Sequence, residues 1–191
     1  MPNGRDHKGW HSRGYLPHFD SPECLQHLVF RTAGSLPRHI ANEISGTAEQ
    51  RRKIYDELLD QSPLDHVLIS KNAADIVVET LLYHHEKKYS LVAWCVMPNH
   101  VHVLIETQQG FRLGDIVREW KTFSARHINL SLERKGSLWA TDYFDRMIRT
   151  EEQYYQTLFY IEHNPVAAKL VSTPELWPWS SASMGTFKSE R

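Results

Sequence analysis

Two histidines one residue apart, His100 and His102, stand directly after a Pro98-Asn99 turn and open the run His-Val-His-Val-Leu-Ile-Glu over 100–106. In an extended strand alternate residues share a face, so both imidazoles project from one side with Leu104, and Val101, Val103 and Ile105 project from the other. The β-branched side suits a sheet face packed on a core. The two imidazoles can converge on one metal ion or one phosphate. A metal site needs a third donor and open positions for substrate. Glu106 shares the histidine face but lies about 13 Å beyond His102 by strand rise, too far to share an ion.

A better partner set lies some sixty residues on. Tyr160 and Asn164 are spaced i, i+4 and so share one face of a helix. The Asn164 amide oxygen can serve a hard divalent cation, and Tyr160 can present its hydroxyl beside it. A phenol of pKa ~10 is a poor nucleophile at neutral pH. It becomes useful against phosphate when a cation polarises the phosphate oxygens and neutralises developing charge. The product is a covalent phosphotyrosine, which conserves the phosphodiester energy and makes the step reversible. Plainer readings of the same residues stay open on spacing alone. A His-X-His strand also occurs in barrel-type metal-dependent hydrolases, Asn164 can be an N-cap, and Tyr160 can be core.

The elements that must position these groups follow from periodicity. Residues 1–23 are rich in Gly, Pro, His and Arg and read as an irregular arm. In it Arg5, Lys8 and Arg13 alternate with Trp10 and Tyr15, a composition that can contact nucleic acid by charge and stacking. The remainder, 24–191, reads as one domain. Cys24–Thr32 is a first strand ended by Gly34 and Pro37. Thr47-Ala-Glu-Gln50 is a capping box opening a helix to about Asp60, with Ile54, Leu58 and Leu59 inward. A second helix is expected over 73–87, closed by His84 and His85. Two strands flank the Pro98-Asn99 turn. An amphipathic helix runs from Leu113 to Leu130, with Leu113, Ile116, Val117, Trp120, Phe123, His127 and Leu130 on its apolar stripe and His127 semi-buried. Trp139–Ile148 leads into a last strand. Thr150 caps a helix through about Glu162, and Asn164-Pro165 starts a short helix over 165–171. The aromatic tail over 174–182 lies against the domain. The order β-α-(α)-β-β-α-β plus a helix is an α+β, ferredoxin-like split βαβ pattern, in which the His-Val-His strand is central.

Composition sets bounds on partners. Hydrophobic content of 41% and charged content of 24% allow an ordinary core. A formal net charge of -1 gives no global basic field, so any nucleic-acid site must be a local patch. Cys24 and Cys95 read as buried reduced thiols, since two cysteines make no disulfide framework. No run approaches the ~18 apolar residues of a membrane span, and the first residues lack the apolar stretch of a signal peptide. A cytoplasmic protein is expected.

Met97-Pro-Asn-His-Val-His-Val-Leu104, together with Asn164-Pro-Val-Ala-Ala and Trp177-Pro-Trp-Ser-Ser-Ala182, resembles the single-tyrosine HUH transposases, in particular the group associated with repetitive extragenic palindromes (REP) in bacteria. The match also takes in Gly14-Tyr-Leu-Pro-His18 and Leu138 to Arg149, so it covers nearly the whole chain. The resemblance implies an HUH-type nuclease fold with a C-terminal tyrosine-bearing helix. It implies Tyr160 as nucleophile, His100, His102 and Asn164 as ligands, and Mg²⁺ or Mn²⁺ as cofactor. Tyr154 and Tyr155 are rivals for the nucleophile, but neither stands i, i+4 from a ligand-capable side chain at the Asn-Pro junction. The implied reaction is cleavage and rejoining of single-stranded DNA at hairpin-forming repeats, leaving a 5′-phosphotyrosine and a free 3′-OH. Asn99, before the first histidine, departs from some members. A restricted basic track of Arg13, Lys121, Arg146 and Arg149 is expected to grip the strand. The protein would act as a monomer or homodimer. Two alternatives remain: a non-cleaving binder of structured single strands with the same fold, and a water-using metallohydrolase, whose barrel form needs about 250 residues.

Overall fold

The structure is a computed structural model and describes residues 9–12, 17–36 and 46–184. Its centre is a four-stranded antiparallel sheet of β3 (Leu25–Arg31), β4 (Tyr89–Val96), β5 (His100–Thr107) and β6 (Phe144–Met147), in the order β4-β5-β3-β6. The first and third strands of the domain are therefore central, as the split βαβ pattern requires. Among the described residues, four α-helices flank the sheet: α1 (Ala48–Gln61), α2 (Lys71–Leu82), α3 (Leu113–Ser131) and α4 (Glu151–Ala167). Among the described residues, no helix is long and apolar enough to cross a membrane.

Strand alternation sorts the sheet into two faces. Leu28, Phe30, Trp94, Val96, Val101, Val103 and Ile105 form one face and pack with α2 and α3 into the main hydrophobic cluster. Phe30 meets the Trp139 ring edge-on at 4.9 Å. Several polar atoms inside this cluster are matched: the Tyr89 hydroxyl donates to Leu81 O and accepts from Trp120 Nε1, and Trp139 Nε1 donates to Ser124 Oγ. The opposite face carries His27, Val29 and Arg31 beside His102, His100 and Cys95 in the strand register. Smaller clusters cover it, one joining Ala93, Cys95, Met97 and Leu104 to Ile161 and Trp177, another joining Val29 to Leu36 and Leu59. Both sheet faces are thus buried, with helix on each side.

Several boundaries differ from the sequence expectation. Within 1–23, β1 (Gly9–Ser12) and β2 (Pro17–Asp20) form an antiparallel ribbon rather than an irregular arm. The ribbon meets β6, where Asp145 Oδ2 accepts from Phe19 N at 3.1 Å. The helix expected over 73–87 ends at Leu82. Beyond it, Glu86 adopts a positive φ of 62° and His85 Nδ1 accepts from Leu91 N, which turns the chain into β4. The apolar stripe of α3 also drifts. Its buried face continues through Ser124 and Ile128, leaving Phe123, His127 and Leu130 exposed.

The largest difference concerns α4. Asn164-Pro165 does not interrupt the helix; Pro165 lies inside it, and the helix continues to Ala167. Proline there leaves the Ile161 carbonyl without its helical donor, a cost that packing of buried Ile161 and Pro165 offsets. Asn164 is consequently a helix-interior residue and not an N-cap. At the far end the tail closes the β4 edge. Val96 N donates to Trp179 O, Trp177 Nε1 donates to Val96 O, and Ser180 bridges Cys95. An otherwise open row of strand donors and acceptors is covered in this way. Cys24 and Cys95 are both free thiols, but only Cys95 is buried; Cys24 is half-buried.

Candidate active site

The site is assembled where α1 and α4 cross the polar face of the sheet. The turn ahead of β5 is held by Met97 N donating to His100 O, Thr32 N to Asn99 O and Leu68 N to Pro98 O. These bonds fix the start of β5, and His100 and His102 are both fully buried. Their Nε2 atoms stand 3.0 Å apart. The Asn164 amide lies 3.0 Å from His102 Nε2. Helical spacing places Tyr160 one turn earlier on the same face, its ring edge-on to His102 with centroids 5.6 Å apart. Its hydroxyl donates to Asp56 Oδ2 at 2.6 Å. All four predicted site residues therefore meet within one chain.

Four further residues complete the arrangement. Asp56 and Asp60 are spaced i, i+4 on α1, mirroring Tyr160 and Asn164 on α4. Asp56 is paired with Tyr160, whereas Asp60 Oδ1 lies 3.7 Å from His100 Nε2. Behind the histidines, Asn99 Oδ1 accepts from His100 Nδ1 at 2.7 Å, and Asn99 Nδ2 donates to Leu59 O. His27 Nε2 lies 3.2 Å from His102 Nδ1. The Asn99 contact fixes one tautomer: with its Nδ1 proton given to Asn99, His100 presents an Nε2 lone pair. His102 presents the same lone pair when the proton of its 3.2 Å contact with His27 sits on His102 Nδ1. Burial holds the His100 pKa down to about 3, so its imidazole is neutral. Asp60 is pushed up to about 7 by burial and by the neighbouring charges of Asp56 and Glu57.

These donors fit a hard divalent cation. Octahedral ligands at 2.1 Å and right angles lie about 3.0 Å apart, which is the spacing of both the His100–His102 and the His102–Asn164 pairs. Asn164 Oδ1 and Asp60 Oδ1 are buried with no hydrogen-bond partner. A half-turn of the Asn164 amide would exchange its nitrogen and oxygen and direct the oxygen at the histidines. Among the described residues, no group of three or more His, Cys, Asp or Glu side chains is arranged to hold a metal ion. The Asn164 amide is a further ligand-capable group beside the two imidazoles, 3.0 Å from His102 Nε2.

The expected basic track is only partly present. Arg13 lies outside the described residues. Lys121 is tied within the fold: its ammonium donates to the carbonyls of Ala140, Thr141 and Asp142 at 3.0, 3.3 and 2.9 Å. All three protons are engaged, and burial pulls its pKa down to about 8. Arg146 is half-buried on edge strand β6 opposite His27, hence on the site face of the sheet. Arg149 is exposed at the junction of β6 and α4. Of the rival tyrosines, Tyr155 is 59% exposed and Tyr154 packs in the cluster with Ile161. Asp56, Asp60, Asn99 and His27 were not anticipated from the sequence. The i, i+4 carboxylates of α1 and the polar alternation of His27 and Arg31 in an apolar strand were the available signals.

An open groove of about 810 Å³ runs along α4 into this site, bounded by Asp60, Tyr155, Phe159, Tyr160, His163 and Asn164.

Comparison with known proteins bears on the family and the fold. Over 106 residues, 49% of this chain, the sequence is 24% identical to a protein of Haemophilus influenzae named as a REP-associated tyrosine transposase. The match spans 58% of that protein, so the chain corresponds to little more than half of its length. The fold is similar to the solved structure of a REP-associated tyrosine transposase bound to a REP hairpin. That similarity has a TM-score of 0.58 at 14% identity, over 90% of this chain and 84% of the other. The family model described as "Transposase IS200 like" matches residues 66–164, just over half of the chain, from the segment before α2 to Asn164 itself. The chain belongs to the IS200-like transposase family.

Proposed function

We propose that this protein is a metal-dependent, single-tyrosine strand transferase that cleaves and rejoins single-stranded DNA at hairpin-forming repeats. One observation carries the reading: the Tyr160 hydroxyl and the Asn164 amide, one helical turn apart, face Asp56 and His102 at 2.6 and 3.0 Å. A hairpin substrate is supported by the related structure, which holds a REP hairpin.

The chain's own residues divide the chemistry. Asp56 Oδ2 holds the Tyr160 proton and accepts it as the phenolic oxygen attacks phosphorus. The tyrosine O–P bond forms while the bond from phosphorus to the 3′ oxygen breaks. The leaving 3′ oxygen is protonated from solvent, giving a 5′-phosphotyrosine and a free 3′-OH. Rejoining is the reverse, with Asp56 returning the proton to the phenol. His100 Nε2, His102 Nε2 and the Asn164 amide oxygen would hold Mg²⁺ or Mn²⁺, which supplies charge neutralisation at the phosphate oxygens. Asn99 and His27 keep the two imidazoles in the ligand tautomer. No observation favours the non-cleaving alternative, because nucleophile, proton acceptor and donor set are all present together.

The test is a hairpin oligonucleotide with a single-stranded flank, incubated with Mn²⁺ and the protein. Wild type should form a covalent adduct that maps to Tyr160. Tyr160→Phe should bind the same oligonucleotide without forming an adduct. An adduct in that variant, or one mapping to Tyr154 or Tyr155, would refute the assignment.

A further inference from the structure

The exposed side of α4 carries a feature that the reaction chemistry leaves unused. Tyr155, Phe159 and His163 are spaced i, i+4, i+8, so they form one stripe. Tyr155 is 59% exposed and Phe159 62% exposed. His163 lies almost parallel on Phe159, with ring centroids 3.7 Å apart and planes 19° apart, and its Nδ1 is 3.0 Å from Phe159 O. The pair is thus a preformed, rigid aromatic surface rather than two loose side chains. All three residues wall the same groove as Tyr160 and Asn164. Whatever strand reaches Tyr160 through this groove must pass over them.

We propose that Tyr155 and the Phe159–His163 pair are stacking platforms for two unpaired nucleobases next to the phosphate attacked by Tyr160. The proposal rests on the reading of Tyr160 as the nucleophile. Three physical points favour a nucleic-acid strand as the occupant. The groove is continuous with a transposase's candidate reacting centre. Aromatic faces accept every base, which suits a single strand independently of sequence. Residues four apart on a helix rise about 6 Å, close to twice the ~3.4 Å per nucleotide of a duplex strand, so the platforms match a stretched, unpaired strand and not a stacked one. Tyr155, a rival nucleophile by sequence, here acquires a binding role. Rings at 155 and 159 hold the strand extended beside Tyr160.

The test uses the full chain and hairpin oligonucleotides carrying 2-aminopurine at successive flank positions. Quenching should be confined to two adjacent positions beside the cleaved phosphate in wild type. Tyr155→Ala and Phe159→Ala should each weaken binding by about 5- to 140-fold, the range of one base–aromatic stack. Phe159→Trp should retain affinity, and Phe159→Leu, apolar but without a π face, should lose it. Quenching spread evenly along the flank, or Phe159→Leu binding like wild type, would overturn the proposal. So would a change of oligomeric state in Phe159→Ala, which would mark the stripe as a contact between copies. Failure of wild type to form any adduct would instead overturn the reading of Tyr160.

Discussion

Asn99→Ala is the most informative single substitution, because it removes no proposed ligand and no nucleophile. Asn99 is 2% exposed and joins two elements of the site, accepting from His100 Nδ1 at 2.7 Å and donating to Leu59 O at 3.0 Å. Leu59 O keeps a second donor, Ser62 N at 3.3 Å, so the cost falls chiefly on the imidazole. A buried N–H left unpaired costs about 1–3 kcal/mol, and stability should fall by that amount. The larger effect is on the free lone pair. Without its acceptor at Nδ1, His100 can move its proton to Nε2 or rotate, and outer partners of this kind are worth roughly 10- to 100-fold in metal affinity. Mn²⁺ titration followed by calorimetry or electron paramagnetic resonance reads the affinity, and urea denaturation of the metal-free protein reads the stability. Asn99→Asp keeps an acceptor for Nδ1 and should retain most of the affinity that alanine loses. A folded Asn99→Ala protein binding Mn²⁺ within twofold of wild type would refute this account of how the histidines are oriented.

Two further perturbations follow from the charges of the site. The Asp60 carboxyl is raised from 3.8 to about 7, so the folded state binds its proton more tightly than the unfolded chain does. Its contribution is present below pH 3.8 and is lost as pH rises to about 7; Asp60→Asn should therefore stabilise the metal-free protein at pH 8, by roughly 4 kcal/mol at most, and not at pH 3.5. Equal urea midpoints for variant and wild type at pH 8 would contradict the burial of that charge. Lys121→Ala should cost about 2–4 kcal/mol by releasing three carbonyls from one ammonium, whereas Arg149→Ala, at an exposed site, should change stability by less than about 0.5 kcal/mol and should reduce the salt dependence of DNA binding. Denaturation and binding isotherms at several salt concentrations separate the two roles, and a stable Lys121→Ala protein with weakened DNA binding would reverse their assignment.

Local sequence determined a good deal of this protein. Alternation around His100 and His102 gave both the strand and the shared face of the imidazoles, because strand geometry repeats every two residues whatever the context. The i, i+4 relation of Tyr160 and Asn164 likewise survived, being a property of any helix containing both. Capping at Thr47, where Gln50 N donates to Thr47 Oγ1 and Thr47 N to Gln50 Oε1, is equally local. Resemblance to a known family added the pairing of strand and helix that periodicity leaves open. What only the tertiary structure decided depends on contacts between distant segments. Pro165 stays inside α4 because packing of its turn outweighs one missing hydrogen bond, an energy that no local rule contains. Phe123, His127 and Leu130 fit an apolar stripe but face solvent, since α2 and the sheet cover only the side of α3 that bears Ser124 and Ile128. Lys121 became a fastener because its stem crosses to the 140–142 loop, 19 to 21 residues away. Asp56, Asp60 and His27 gained their roles in the same way: each is an ordinary polar residue in sequence, and becomes part of the site only where α1 and β3 meet the two histidines in three dimensions.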